Sequence, residues 1–192
     1  MSLAPWRSPL ARALHRNRSR AYSRYPQLAT VRSNGRPANR TVVFRDFLPE
    51  TDSLMFVTDV RSEKIDQIDH SSEGELCWYF TQTREQFRLG GRLRTITAAA
   101  ADPAVISMRQ QAWEKMSEKS RQQFAWPEPG QPRSLTGHEP VDLSESPPLT
   151  PFAVLVFEPD TVDHLELRGE PQNRYRYWRS PDLSWKMMEV NP

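Results

Sequence analysis

Residues 39–45 read Asn39-Arg40-Thr41-Val42-Val43-Phe44-Arg45, a β-branched and apolar run with an arginine near each end. Such residues favour a strand, which can bury its valines while both guanidinium groups emerge at one rim of a sheet. Guanidinium groups suit phosphate because their planar N–H forks match its oxygens. The run therefore predicts a strand beside a phosphate-binding rim, with these candidate contacts: Arg40, Val42, Val43 and Arg45.

A second group of polar residues follows this strand. The segment Phe56-Val57-Thr58-Asp59 ends another apolar run, and Ser62-Glu63-Lys64 opens a short predicted helix that ends near Ile68. A helix N-terminus with a hydroxyl and an ammonium attracts anions. Arginines that flank a strand are often only exposed strand ends, but this second group favours one shared phosphate site. It adds four candidate contacts: Val57, Thr58, Ser62 and Lys64.

Together with Glu85-Gln86-Phe87-Arg88, these motifs resemble the pyridoxamine 5'-phosphate oxidase-related, FMN-binding split-barrel family, in particular its cyanobacterial and plant-type branch. The resemblance extends from Ala4-Pro5-Trp6 to the end of the chain. It implies FMN as the cofactor. It also implies that Arg40 and Lys64 bind the FMN phosphate, that the valines after Arg40 touch the ring system, and that Thr58 contributes nearby.

The resemblance adds two cofactor contacts from later in the chain. Gln86 matches a glutamine that hydrogen-bonds the flavin ring, commonly from the second subunit, and its amide can donate and accept at once. From the residues alone, Gln86 could equally be an exposed edge-strand amide. Arg174, within Pro171-Gln172-Asn173-Arg174-Tyr175, matches the family's final FMN-contacting arginine. The family's twofold dimers imply a homodimer with FMN at the subunit interface.

The sequence departs from the oxidase pattern beside the expected phosphate. The better-known oxidases carry an arginine where Glu63 stands, and a carboxylate would repel a phosphate. We expect Arg61, two positions earlier, to supply the missing charge.

The substrate-binding residues depart further. Oxidases of the family bind the substrate phosphate with a lysine, a tyrosine, an arginine and a serine, and only the lysine has a charged counterpart here, Arg45. In an ungapped alignment the other three fall at Ala100, Ala104 and Met108. The oxidases also clamp the pyridine ring with an Arg-Leu-His-Asp-Arg run near the C-terminus, and here that run becomes Glu-Pro-Gln-Asn-Arg at residues 170–174. Candidate substitutes are Arg109 and Arg168.

The resemblance thus implies an FMN-dependent oxidoreductase that lacks most oxidase substrate contacts and acts on an unknown small molecule. The alternative is a flavin-binding or flavin-sequestering protein without turnover. On the oxidoreductase interpretation the flavin performs the hydride or electron transfer, so the sequence requires no side chain to act as a catalytic acid or base, and the catalytic residues stay unknown.

The whole chain, residues 1–192, is predicted to be one mainly β domain with α+β decoration, because about eight strands and few helices suit a barrel-like core. The resemblance sharpens this fold to a split β-barrel with peripheral helices. Asp102-Pro103 predicts the start of a helix that ends near Phe124, and the Pro-rich segment 127–151 predicts a loop. The remaining predicted elements are an N-terminal helix around Leu10 to Leu14, a hairpin of 28–31 with 41–44, a strand at 54–58, strands at 75–81 and 86–98 with a bulge at Gly90-Gly91, and closing strands at 152–157, 162–167, 174–178 and 185–190.

Charge and cysteine content restrict the possible partners and compartment. Residues 1–45 hold ten arginines and no acidic residue, whereas the other 147 residues hold 16 basic and 24 acidic ones. Targeting peptides and nucleic-acid arms share that pattern, but a solvated amphipathic helix explains it better, so no nucleic-acid partner is predicted. One cysteine, Cys77, fits a reducing cytoplasm, and no apolar run is long enough to span a membrane. Four scattered histidines predict no metal site.

Overall fold

The computed structural model describes residues 3–192, which form one antiparallel sheet with helices around it. The helices are α1 (Arg7–Arg16), α2 (Glu63–His70), α3 (Pro103–Glu114) and α4 (Glu118–Gln122). The strands are β1 (Gln27–Val31), β2 (Pro37–Thr41), β3 (Asp46–Phe47), β4 (Leu54–Asp59), β5 (Glu73–Phe80), β6 (Glu85–Ile96), β7 (Phe152–Glu166), β8 (Asn173–Arg179) and β9 (Trp185–Val190). The predicted mainly β fold with peripheral helices is confirmed.

The long strand β7 organises the sheet. The order is β2-β1-β5-β6-β7-β4-β3, and β8 and β9 branch from β7, so the sheet does not close on itself. The first half of β7 pairs with β4 and the second half with β8, while β6 runs along both halves. The prediction of two separate strands at 152–157 and 162–167 is therefore wrong. The register shift at Gly90/Gly91 confirms the predicted bulge.

The first half of β7 is buried on both faces. Leu155 and Phe157 face the main core, which contains the side chain of Trp78. Val154 and Val156 face a second core beneath α3, which also contains Phe124. A strand covered on both sides needs continuous apolar residues, which explains the run Phe152-Ala-Val-Leu-Val-Phe157.

The predicted helix from Asp102 to Phe124 is two helices. The side chain of Asp102 caps α3 by accepting from two backbone amides, as the sequence predicts. The helix ends at Glu114, and Ser117 caps the separate helix α4 by accepting from the backbone N of Ser120 at 3.3 Å. The following segment, 127–151, holds no helix or strand, in agreement with the predicted loop.

The hairpin around Asn34-Gly35 forms, but the predicted second strand 41–44 is wrong, because the observed strand β2 (Pro37–Thr41) shares only Thr41 with it. Strand β2 stops at Thr41, and the next residues cross from β1 to β4. Along this crossing the backbone N of Phe44 donates to the carbonyl of Arg24 at 2.8 Å, and the N of Arg45 donates to that of Met55 at 2.9 Å. The crossing brings the decisive stretch of sequence to the rim of the sheet.

Helix α1 confirms the predicted N-terminal helix, with Trp6 and Leu10 fully buried against the main core. Within residues 3–192, no helix combines the length and the apolar character that a membrane span requires.

Candidate cofactor site

A cavity of about 610 Å³ opens where the end of β2, the crossing after it, β4 and the start of α2 meet. This volume is within the usual range of small-molecule sites. Eight of the ten predicted cofactor contacts line it: Arg40, Val42, Val43, Arg45, Val57, Thr58, Ser62 and Lys64.

Two hydroxyls hold the ammonium of Lys64 at the floor of this cavity. Lys64 Nζ donates to Ser62 Oγ at 2.8 Å and to Thr58 Oγ1 at 3.0 Å. Ser62 Oγ in turn donates to the carbonyl of Asp59 at 2.7 Å. Burial, and then the positive charge of Arg40, lower the pKa of Lys64. An anion in the cavity would favour the charged ammonium and so raise the pKa of Lys64 against both effects.

Arg40 stands at the end of β2, and several protein acceptors hold its guanidinium. Nη1 donates to Thr30 Oγ1 at 2.6 Å and to the carbonyl of Leu28 at 3.2 Å, and Nη2 donates to Gln67 Oε1 at 2.6 Å. All these acceptors are uncharged, and burial lowers the pKa of Arg40. Among residues 3–192, no carboxylate lies within 4.0 Å of either Arg40 or Lys64. Two partly buried cations therefore share one cavity and neither forms an ion pair within residues 3–192, although Asp59 and Glu128 also line the cavity.

The acidic residue at the start of α2 does not oppose an anion directly. Glu63 is exposed and accepts from Arg32 Nε at 3.1 Å. The expectation that Arg61 supplies the missing charge is not supported, because Arg61 closes on Asp59 with its Nη2 2.6 Å from Oδ2. Its Nη1 donates to the carbonyl of Trp126 at 2.9 Å, which ties the following loop to the end of β4.

The Pro-rich loop supplies one wall of the cavity. This role of the loop was not predicted from the sequence. Residues 126–134 line it, together with His138. Composition indicated a loop but carried no signal for its path. Arg133 adds a cationic group and Trp126 an aromatic surface to the wall.

The other two predicted contacts lie elsewhere on the chain. Gln86 on β6 pairs with Leu165 on β7, which pairs in turn with Arg174 on β8, so all three occupy one row across the sheet. Residues directly opposite each other in antiparallel strands project to the same face. Neither Gln86 nor Arg174 lines the cavity that contains Arg40. Arg174 forms a bidentate ion pair with Asp163.

A second, small cavity of about 180 Å³ adjoins the first and shares Val43, Arg45 and Val57 with it. Arg24 and Lys115 bring two more cationic groups to this small cavity, and Asp46 brings a carboxylate. Burial, and then the nearby charge of Arg24, lower the pKa of Arg45.

A group of possible metal ligands, which the sequence analysis did not predict, lies on β6 and β7. Ligand atoms of Glu85, His164 and Glu166 lie within 4.8 Å of one another. His164 Nε2 is 3.0 Å from Glu85 Oε2, and the buried Nδ1 has no partner within residues 3–192. A metal on Nε2 would leave a buried N–H on Nδ1 without an acceptor, whereas metal-bound histidines usually satisfy that group. The geometry therefore favours a simple histidine–glutamate hydrogen bond.

Comparisons with known proteins agree with this fold. The family described as "Pyridoxamine 5'-phosphate oxidase, FMN-binding domain" matches residues 3–97. The pyridoxine/pyridoxamine 5'-phosphate oxidase 2 of Arabidopsis thaliana is 38% identical over 194 residues, which cover 99% of this chain and 98% of that protein.

Two crystal structures extend the comparison. A pyridoxamine 5'-phosphate oxidase-related, FMN-binding protein of Nostoc punctiforme has a TM-score of 0.96 and 50% identity, with full coverage of both chains. PhzG of Burkholderia lata, in complex with tetrahydrophenazine-1-carboxylic acid, has a TM-score of 0.73 at 19% identity and covers 96% of this chain and 91% of its own. At that identity PhzG shows a shared fold only.

An open antiparallel sheet with a cavity rich in arginine and lysine at its rim is the arrangement of the FMN-binding split barrels. The chain belongs to the pyridoxamine 5'-phosphate oxidase-related, FMN-binding family. The part that matches the family's FMN-binding domain contains nine of the ten predicted contacts, all except Arg174. Arg40 and Lys64, which have no ion-pair partner within residues 3–192, fit the phosphate of FMN.

Proposed function

We propose that this protein is an FMN-dependent oxidoreductase whose cofactor lies in the cavity between Arg40 and Lys64. The observation that carries the proposal is the pair of half-buried cations in this cavity, neither of which has a carboxylate within 4.0 Å among residues 3–192, while Asp59 on the cavity wall is paired with Arg61. A phosphate dianion would accept from both cations and from the hydroxyls that already surround Lys64. The sequence contains no glycine-rich dinucleotide fingerprint of the G-x-G-x-x-G kind, so the proposal is FMN rather than FAD.

The apolar residues of the cavity suit the flavin ring. Val42 is buried, whereas Val43 and Val57 keep exposed surface on the cavity wall. The small cavity shared by Val43 and Val57 gives room beside the ring for a small-molecule substrate. FMN supplies hydride or electron transfer, and the protein supplies orientation and electrostatics.

We further propose a homodimer in which the partner completes each site. Gln86 and Arg174 share one face of the sheet but lie outside their own chain's cavity. A twofold axis would let that face approach the partner's cavity, because each subunit then offers the same surface. On this proposal the amide of Gln86 reaches the pyrimidine edge of the partner's flavin.

The spectrum of the purified protein tests the function. We expect a yellow protein that dithionite bleaches and air reoxidises, and heat release should yield FMN and not FAD. Bleaching by an added organic substrate without air would show turnover. A colourless protein that takes up no added FMN contradicts flavin binding. Reversible bleaching by dithionite, with no response to any substrate in a panel of B6 vitamers, nicotinamides and deazaflavin donors, supports flavin storage instead.

A further inference from the structure

Gln67 lies behind Arg40, outside the cavity, and is buried in α2 with 4% of its surface exposed. Its Oε1 accepts from Arg40 Nη2 at 2.6 Å and from Thr30 Oγ1 at 2.6 Å. Thr30 is equally buried, and its Oγ1 accepts from Arg40 Nη1 at 2.6 Å. Arg40, Thr30 and Gln67 therefore form a closed triangle of hydrogen bonds.

The triangle determines which edge of the Arg40 guanidinium stays available. A guanidinium carries five N–H groups. Both groups on Nη1 have protein acceptors, Thr30 Oγ1 and the carbonyl of Leu28, and one group on Nη2 donates to Gln67. Within residues 3–192 no acceptor takes the N–H of Nε or the second N–H of Nη2. Nε and Nη2 form the side-on fork that grips two oxygens of one anion.

The amide of Gln67 has only one workable orientation. Its Oε1 must face Arg40 and Thr30, because a rotated amide would point an N–H group at Arg40 Nη2, which can only donate. In this orientation Nε2 is buried and has no partner within residues 3–192. An unsatisfied buried N–H is unfavourable, so the hydrogen bonds of the Gln67 amide N–H groups do not explain why a glutamine is buried here. A need for the carbonyl oxygen of Gln67 at Arg40 explains it.

The neutrality of the side chain also matters. A glutamate at this position would accept the same hydrogen bonds, but its charge would neutralise Arg40 2.6 Å away. An amide orients the guanidinium and leaves its positive charge free for an anion. Every acceptor that holds Arg40 is neutral, which fits this interpretation.

We propose that Gln67, with Thr30, is a positioning residue that aims the side-on fork of Arg40 at the phosphate of the flavin. The proposal rests on the proposed FMN site. Because Gln67 acts through Arg40, its loss should weaken recognition of the phosphate and leave recognition of the ring unchanged.

The test compares the affinity of FMN with that of riboflavin, which lacks the phosphate. Flavin is stripped from the full-length protein, and both ligands are titrated by flavin fluorescence. In Gln67→Met, which keeps the side-chain length but removes the acceptor, we expect FMN affinity to fall about tenfold, as for one hydrogen bond to a charged group. Riboflavin affinity should stay within about twofold. Gln67→Glu should also lose FMN affinity selectively.

Asn17→Leu is the control for removal of a buried amide. Asn17 is 1% exposed and does not line the cavity. Its Nδ2 donates to the carbonyl of Ala13 and to Thr83 Oγ1 in the turn after β5. This variant should leave the ratio of FMN to riboflavin affinity unchanged, even if it lowers stability. Equal losses of FMN and riboflavin affinity in Gln67→Met, or no loss of either, overturn the proposal. A wild-type protein that binds neither ligand contradicts the FMN site itself, which is a separate result.

A double variant shows whether Gln67 acts through Arg40. In an Arg40→Ala background, Gln67→Met should cause little further loss of FMN affinity, because the group that it positions is gone. A further tenfold loss would mean that Gln67 acts independently, and it would overturn the positioning role.

Discussion

Arg174 donates to both carboxylate oxygens of Asp163, from Nε at 3.0 Å and from Nη2 at 2.7 Å. The hydrogen bond from Arg174 is the main reason why the pKa of Asp163 lies below its usual value. The pair spans β7 and β8. It also occupies the side-on fork of Arg174 within its own chain, so a contact with the partner's FMN would use the remaining N–H groups.

This pair predicts a pH dependence of stability. A carboxyl group whose pKa is depressed by folding stabilises the fold above its unfolded pKa of about 4, and the contribution disappears as the pH falls through the folded pKa. Asp163→Asn should therefore be less stable than the wild type at pH 7, and the difference should shrink from about pH 4 downward. Urea unfolding at several pH values measures this. Glu158→Gln, which breaks an exposed pair with Arg94, should change the free energy of unfolding little at any pH. A constant difference between Asp163→Asn and wild type would contradict the prediction.

Loss of the Arg40 guanidinium should weaken FMN binding directly. A hydrogen bond to a charged group contributes about 1.5–3 kcal/mol, so Arg40→Ala should lower FMN affinity by roughly 10- to 150-fold. Flavin titration of the stripped protein measures the dissociation constant. Arg36→Ala, on the exposed turn of the same hairpin, is the matched control and should bind FMN normally. An unchanged dissociation constant in Arg40→Ala would remove Arg40 from the site.

Mixed dimers test whether the two halves of the site come from different chains. If Gln86 reaches the flavin that the partner's Arg40 holds, a dimer of one Arg40→Ala chain and one Gln86→Ala chain has one site with both lesions and one intact site. Differently tagged chains, co-purified as heterodimers, should bind half the wild-type FMN with normal affinity. If both sites of the heterodimer are impaired, both residues act within one chain.

Much of the cavity could be predicted because its residues are close in sequence. Between Arg40 and Lys64 lie the end of β2, the crossing after it, the two-residue strand β3, then β4 and the start of α2, and the elements that carry the predicted contacts have local signals. Hydroxyls before a helix and valines beside arginines are such signals. The contacts of Gln86 and Arg174 depend on strand pairing across long stretches of sequence, and their relation to the cavity stays a prediction. That residues 1–192 form a single domain also stays a prediction.

Other features carried no local signal. Segments 152–157 and 162–167 look like two strands because Pro159 and polar residues interrupt the apolar pattern, yet pairing with β6 continues across the interruption with a bulge. Gln67 follows a charged residue on a helix and looks like a surface amide. Only the packing of α2 against β1 shows that its side chain is buried against Arg40.

The last prediction concerns the substrate: this protein should oxidise pyridoxine 5'-phosphate poorly. In the ungapped alignment, the positions that match the oxidases' tyrosine, arginine and serine carry only methyl or thioether side chains, in Ala100, Ala104 and Met108. Arg109, a predicted substitute, is unavailable to a ligand because it is buried and donates to the carbonyls of Leu149 and Phe152. Losing two or three charge-assisted contacts at about 1.5–3 kcal/mol each should lower efficiency by several orders of magnitude.

Arg168, the other predicted substitute, lies outside the cavity and donates to the carbonyl of Gln82. Arg24 and Lys115 supply charge beside Arg45, but Asp46 opposes them, and none of the described residues that line the small cavity carries a hydroxyl group to replace the missing ones. The measurement is the formation of pyridoxal 5'-phosphate by FMN-loaded protein, with the Arabidopsis relative assayed in parallel. A kcat/KM near the roughly 10⁴ M⁻¹ s⁻¹ of an ordinary enzyme on its own substrate would contradict the prediction. Such a result would show that the charges around the small cavity replace the oxidases' phosphate contacts.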